Sequence, residues 1–471
     1  MIARRKSDRP PPARRHGETD VRSLASPQAA GSREAPRERL AQALVATRRR
    51  SVDLARPLSA EDQVVQSMPD ASPTKWHLAH TSWFFETFIL VPFHRNYRVF
   101  DEAYGYLFNS YYEAVGARHP RPERGLLTRP GAGEVNAYRR HVDAAMSAFM
   151  NTAEAATWAK AEALVALGIA HEEQHQELML TDILSVFARN PLRPAYRAAD
   201  DERPQDAGRG KASDGDAAGD DGSFLTFPGG LYEIGHADGD GDAFAFDNEG
   251  PRHKVYLEPF RLAARPVSNG AWMAFIEDGG YRRPELWLAD GWAVVQAEGW
   301  ASPLYWERDG DGRWAQMSLR GLAALDACAP VCHVGLYEAD AFARWAGMRL
   351  PSEAEWEVAA STLDPSGNTL GAGRLRPCAD DRNDTGAPSP VLRQMFGDVW
   401  EWTASSYAPY PGFRPAAGAV GEYNGKFMCN QMVLRGGSCA TPDGHVRPTY
   451  RNFFYPHQRW QFSGVRLAQD V

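Results

Sequence analysis

Two histidines four residues apart, His171 and His175 in the run His171-Glu172-Glu173-Gln174-His175-Gln176-Glu177, lie inside an apolar helical pattern. That spacing puts both imidazoles on one face of a helix, the arrangement of a metal clip. The same face carries Leu164, Leu167 and Leu178, so the histidines stand where a core-facing helix ordinarily holds leucine. HxxxH pairs also arise on amphipathic helices whose histidines are solvated or simply hydrogen-bonded in a core.

The surrounding pattern is helical from about residue 36 to 195, with periodic segments over 36–57, 74–92, 132–153 and 154–189, broken by Pro57, Pro73, Pro92, Pro130 and Pro191. Four helices suggest a bundle, and bundles build metal sites from inward side chains on facing helices, so a third ligand is expected from another helix. The segment from Ser72 to Phe85 offers two histidines. Ser72 and Pro73 make a helix start, and His80 falls on the side of Trp76 and Phe84, so His80 is the candidate and His77 the reserve.

Residues 1–35 are rich in Arg, Pro, Ser and Ala, without the continuous apolar stretch of a secretory signal, and are expected to form a disordered tail. Acidic Asp8, Glu18 and Asp20 argue against an Arg-rich targeting peptide. A second change of composition, to Asp, Gly, Arg and Ala over 198–222, reads as an interdomain linker; its acidic residues lack the ligand spacing of a calcium loop. The expected organisation is therefore a helical domain over 36–197 and a second domain over 223–471. In the latter, short apolar segments, many glycines and eleven tryptophans indicate an irregular α+β fold held by aromatic packing. Helices are expected there over Leu336–Ala346 and Ser352–Ala360, with Ser352 and Glu355 forming a capping box.

Charge and cysteine usage narrow the function. A net charge of -8 argues against nucleic acid as the main partner, and no run approaches the roughly 20 apolar residues that span a bilayer. Five cysteines, odd in number and confined to the C-terminal half, fit reduced thiols and a cytoplasmic location. Cys328 and Cys332 make at most a zinc half-site with no second pair of ligands nearby.

In the second domain, Phe227-Pro228-Gly229-Gly230, Glu249-Gly250-Pro251-Arg252-His253, Arg349-Leu350-Pro351-Ser352-Glu353-Ala354-Glu355-Trp356-Glu357, Gly397-Asp398-Val399-Trp400-Glu401-Trp402-Thr403, Arg435-Gly436-Gly437-Ser438 and Gly464-Val465-Arg466-Leu467-Ala468 resemble the formylglycine-generating-enzyme or sulfatase-modifying fold, a variant of the C-type-lectin architecture. The first domain resembles the DinB-type metal-binding four-helix bundle, whose three histidines fall on His80, His171 and His175. Together the chain is similar to the EgtB family of ergothioneine-biosynthesis sulfoxide synthases.

That resemblance implies a non-haem Fe(II), O2-dependent reaction joining the sulfur of cysteine or γ-glutamylcysteine to the imidazole carbon between the two ring nitrogens of hercynine, giving a sulfoxide. Three neutral imidazoles suit it, because they leave the ion its full charge and open positions. It further implies that Gln174 holds the hercynine imidazole and that Tyr111 and Tyr112 form the paired tyrosines of one family branch, a phenol supplying a proton or hydrogen atom. Arg121, with Arg124 as alternative, is the candidate for the thiol substrate's carboxylate. Asn452, Phe453 and Phe454 resemble the hercynine-binding segment, the amide for a carboxylate and the rings for a trimethylammonium.

Departures from related patterns refine the expectation. The γ-glutamylcysteine-using branch carries an acidic residue shortly after the Asn and a nearby Arg, whereas this chain has Phe454 and a shifted Arg459, so cysteine is the expected donor. Formylglycine-generating enzymes carry a cysteine pair after Arg-Gly-Gly-Ser, but Cys439 stands alone, so sulfatase activation is not expected. The alternatives are an ovothiol-type 5-histidylcysteine sulfoxide synthase, whose usual methyltransferase domain is not expected after Val471, a zinc-dependent DinB-type thiol transferase, and a lectin-like binding protein with a structural metal.

Overall fold

The computed structural model describes residues 36–198, 223–237, 244–380 and 391–471. The expected tail over 1–35, and all of the expected linker except Ala198, lie outside the described residues. Four long helices build the first domain: α1 (Pro36–Ala55), α2 (Thr74–Phe85), α3 (Ala132–Thr152) and α4 (Ala155–Arg189). The chain of α2 continues through a π-helical turn at Glu86–Leu90 and a last turn at Val91–Phe93. Glu86 ties that irregular stretch down, accepting from the hydroxyls of Tyr97 (2.5 Å) and Tyr138 (2.6 Å). None of the described helices is long and apolar enough to cross a membrane.

One helix start forms differently from the sequence expectation. Ser72 does not cap α2; its backbone N–H donates to Asp182 Oδ2 on α4 (2.8 Å), and its hydroxyl accepts from Arg124 Nη1 (2.9 Å). A buried carboxylate and a buried guanidinium outcompete the local cap. Where α4 crosses α2, the helices meet at Gly168: a Cβ there would lie 2.5 Å from Phe85 Cε1. Only glycine allows the approach, and His171 follows one turn later.

The second domain is the expected α+β assembly of short strands. Its central sheet orders Asn452–Phe454, Met432–Arg435, Trp400–Ser406 and Ser463–Gly464, antiparallel except for the last pair. A second sheet pairs Phe224–Phe227 and Ala468–Asp470 on either side of Phe260–Ala263, joining the two ends of the domain. The helix Glu353–Ala360 opens with the anticipated capping box, Ser352 Oγ accepting from Glu355 N (3.2 Å) and Glu355 Oε2 from Ser352 N (2.7 Å). Trp272, Trp356, Trp400 and Trp402 are fully buried, and Arg466 and Glu401 pair in the interior at 2.7 Å.

The domains pack on one another through α4. Glu177 accepts from Trp400 Nε1 (2.8 Å), Ser438 Oγ (2.5 Å) and Thr441 Oγ1 (2.6 Å), and Glu173 lies 3.0 Å from His445 Nδ1. A continuous set of buried apolar side chains runs from Leu44 in the bundle to Ala468 in the last strand. The helix that carries the histidine pair is therefore gripped from both sides.

Candidate metal centre

His80 on α2 and His171 and His175 on α4 converge, with one potential ligand atom of each within 4.8 Å of the others. Their ring centroids are 4.6–5.0 Å apart. The neighbours of two of the rings fix which nitrogen faces inward. His80 Nδ1 donates to the carbonyl of Phe108 (2.6 Å), which leaves Nε2 bare, 3.2 Å from His171 Nε2. With His77 neutral, its Nε2–H donates to Asp182 Oδ2 (3.1 Å) and its Nδ1 accepts from His175 Nδ1–H (2.8 Å). The reserve histidine thus orients a candidate ligand, as outer partners of metal-bound imidazoles commonly do.

Burial is the main force on all three candidate ligands and holds them neutral. It pushes His171 down to about 3, and it drives His80 and His175 well below the ordinary histidine range, with neighbouring imidazoles adding to the effect. Converging neutral imidazoles in a largely buried site form a donor set that fits a transition-metal cation. Replacing His77 with phenylalanine should lower affinity for a divalent metal by roughly 10–100-fold, measured by competition with a chelating dye. Unchanged affinity would mean that His175 is held without it.

Around this centre the other expected residues divide. Arg121 is exposed and donates to the carbonyl of Asp70. Arg124 is 3% exposed, bonds Ser72 Oγ (2.9 Å) and Ser110 Oγ (3.3 Å), and has an Nε without a partner. Its guanidinium lies 3.4 Å from the centre of the Trp76 ring, which stacks on His80 at 4.6 Å. No carboxylate pairs with Arg124 among the described residues, and burial holds its pKa well below the usual arginine range.

Tyr111 and Tyr112 stack at 4.7 Å. Tyr112 is fully buried beside Phe84, whose ring lies 4.7 Å from His171. Burial, and then the Tyr111 phenol, push the Tyr112 hydroxyl well above its ordinary range, so it stays protonated. Gln174 is claimed at both ends by the other domain: its Nε2 donates to Tyr450 Oη (2.7 Å), and its Oε1 accepts from Tyr423 Oη. Tyr423, whose ring is 5.6 Å from His171, escaped the sequence reading because nothing in the segment around it forms a motif.

The terminal Asn-Phe-Phe segment is a strand, so its neighbours face opposite ways. Phe453 stacks on Tyr407 (4.0 Å) and meets Phe427 (6.0 Å), which packs edge-on against Tyr111. Phe454, expected on the same wall, turns instead to Trp460 (5.8 Å). Asn452 uses its side-chain oxygen to accept from Phe453 N (2.9 Å).

Comparison with known proteins agrees with this two-domain geometry. The Sulfatase-modifying factor enzyme 1-like domain family matches residues 212–471, and the DinB superfamily matches residues 43–179. Hercynine oxygenase of Mycolicibacterium smegmatis is 36% identical over 65% of this chain and 71% of its own length. The chain belongs to the hercynine oxygenase family. A second member, from Mycolicibacterium thermoresistibile, is 34% identical over 64% of this chain and 68% of its own. The formylglycine-generating enzyme of Thermomonospora curvata, 31% identical, spans 48% of this chain and 91% of itself. That lower share is close to the extent of the second domain alone, whereas these two hercynine oxygenase matches extend beyond it.

Proposed function

We propose that this protein is an O2-dependent sulfoxide synthase that joins the sulfur of cysteine to the imidazole carbon between the ring nitrogens of hercynine, with iron(II) held by His80, His171 and His175. The observation that carries the reading is the convergence of three neutral imidazoles against a second domain in a chain of this family. Bound there, iron would supply open positions for thiolate and dioxygen and the redox capacity that zinc lacks. The reaction balances without a further reductant: thiol hydrogen, imidazole C–H and O2 give the sulfoxide, one oxygen atom on sulfur and the other leaving as water.

The chain's own residues take the remaining roles. Arg124, rather than the exposed Arg121, holds the substrate carboxylate, because a buried guanidinium with a free Nε and no acidic partner is an anion site in waiting. Tyr112, kept protonated, delivers the proton that accompanies the departing oxygen, with Tyr111 stacked against it. Gln174, held by two tyrosine hydroxyls, is positioned to exchange one of them for the hercynine imidazole. Phe453 offers an aromatic face to the trimethylammonium. Arg459 pairs with Glu338 (2.9 Å) and covers Trp300 (3.9 Å), leaving no second basic anchor for a γ-glutamyl group at that position, which favours cysteine as donor.

The test is anaerobic reconstitution with Fe(II), then addition of O2, hercynine and either thiol, with products read by mass spectrometry. A hercynyl-cysteine sulfoxide is expected. Product from γ-glutamylcysteine alone would overturn the donor assignment, and activity indifferent to O2 would favour a zinc transferase.

A further inference from the structure

The loop that carries Tyr111 and Tyr112 is held from the other domain by one short segment, the 3-10 turns Ala419–Glu422 and Gly425–Phe427. Glu422 accepts two consecutive backbone N–H groups with its two oxygens, Glu113 N at 3.0 Å and Ala114 N at 2.8 Å. Lys426, one turn on, lies 2.7 Å from Glu422, donates to the carbonyl of Tyr111, and sits 5.3 Å from the centre of the Tyr111 ring. Phe427 closes edge-on against the same ring at 4.9 Å. Between them Tyr423 reaches Gln174 and His171, its ring also lying edge-on to Tyr111 at 6.4 Å.

The arrangement is specific in two respects. The backbone around Glu113 and Ala114 is exposed, so water could satisfy these amides; a carboxylate aimed at both is not needed to bury them. Lys426, the positive charge beside the carboxylate, also reaches back to the tyrosine loop, so the same pair fixes the loop on both sides of Tyr112. Asn109, the loop's internal tie, bonds only the Tyr112 and Gly116 carbonyls (3.2 and 3.0 Å) and does not reach across the interface.

We propose that Glu422 and Lys426 form a clasp through which the second domain sets the position of the Tyr111–Tyr112 pair, and that this clasp governs how the oxidation is partitioned. The inference rests on the role assigned to Tyr112 above. In the coupling reaction a proton reaches the oxygen that leaves as water, and the sulfur bonds to the imidazole carbon. In the competing reaction the thiol and O2 combine alone, both oxygen atoms entering the sulfinic acid and no imidazole C–H bond breaking. A phenol displaced by about an ångström loses much of its efficiency in proton delivery, which shifts turnover from the first outcome to the second. Neither Glu422 nor Lys426 touches a reacting group; both are positioning residues.

The experiment uses the full chain loaded with Fe(II), assayed with O2, hercynine and cysteine, and reads the ratio of sulfoxide conjugate to cysteine sulfinic acid. Tyr112→Phe, Glu422→Ala, Glu422→Asp and Lys426→Met are compared after iron content and melting temperature are matched. The expected result is that Tyr112→Phe diverts the product, and that Glu422→Ala and Lys426→Met raise the sulfinic share by roughly tenfold with KM for hercynine unchanged. Glu422→Asp, which keeps the carboxylate, should recover part of the parental ratio. If Tyr112→Phe diverts the product while iron-loaded Glu422→Ala and Lys426→Met keep the parental ratio, the clasp is wrong and the tyrosine assignment stands. If Tyr112→Phe itself leaves the ratio unchanged, the tyrosine assignment falls and takes the clasp's function with it. Should Glu422→Ala fail to fold, Lys426→Met decides alone.

Discussion

Replacing His171 with alanine is expected to remove the bound metal and the oxygen-dependent turnover together. His171 stands at the centre of the cluster, its Nε2 3.2 Å from His80 Nε2 and its ring 4.6 Å from His175. Without it two imidazoles remain, too few to hold a divalent ion against solvent at the affinity of three-ligand sites. A bound metal ion contributes several kcal/mol to transition-state stabilisation, and each 1.36 kcal/mol is tenfold in rate, so turnover should fall by roughly 10³-fold or more. The ring is 2% exposed, so its loss also leaves a cavity beside Phe84 that costs stability, by about 2–4 kcal/mol on the scale of large-to-small core changes. Elemental analysis and activity therefore need a melting curve beside them. A folded variant that still binds one equivalent of iron would move the metal site elsewhere.

The histidine pair was legible because helical periodicity is local: four residues apart on an apolar face is a statement about one segment. His80 was legible for a similar reason, lying on the face of Trp76 and Phe84. What periodicity cannot convey is the company a face will keep. His77 became the partner of His175 only because Asp182, more than a hundred residues on, turned to meet it. Ser72 gave up its capping role to that same carboxylate. Arg121 and Arg124 are equivalent as letters, yet one reaches a surface carbonyl and the other lies over Trp76 in the interior.

The second domain was legible through its motifs, whose interior partners, such as Glu401 with Arg466 and Ser352 with Glu355, keep the strands and helix where expected. The interface was not legible. Tyr423, Tyr450, His445 and Glu422 act on segments roughly 250 to 310 residues away, with no composition or spacing to mark them. The pairing of Phe453 and Phe454 failed for a simpler reason: once the segment is a strand, adjacent residues must part.

The second large effect is expected at Glu172, beside the proposed ligand His171 but facing away from it. Its Oε1 accepts from Ser51 Oγ (2.6 Å) and pairs with Arg139 (2.8 Å), while Oε2 pairs with Arg48 (2.9 Å). Arg48 also reaches Asp143 and Ser82, and Arg139 reaches the carbonyl of Leu78. One carboxylate thus joins all four helices of the bundle at the level of the histidines. Burial alone would favour its neutral form, but Arg48 and Arg139 outweigh burial and hold it at about 2, so it is ionised wherever the protein is folded near neutrality.

Deleting it as Glu172→Ala should cost about 3–5 kcal/mol, because Arg139 is left in the interior without a carboxylate. At about 2–4 °C per kcal/mol for a domain of this size, melting should fall by roughly 6–20 °C. The cost lies in the stranded charge more than in the lost attraction, and that can be separated experimentally. Removing both partners with apolar side chains, Glu172→Met together with Arg139→Met, takes away attraction and desolvation cost at once, while Arg48 retains Asp143. The double variant should therefore melt above Glu172→Ala, though each site has been changed more drastically in composition. If it melts as low or lower, the network stabilises the bundle by its directional hydrogen bonds across the helices, and the ion pair is not what holds the histidine-bearing helix in place.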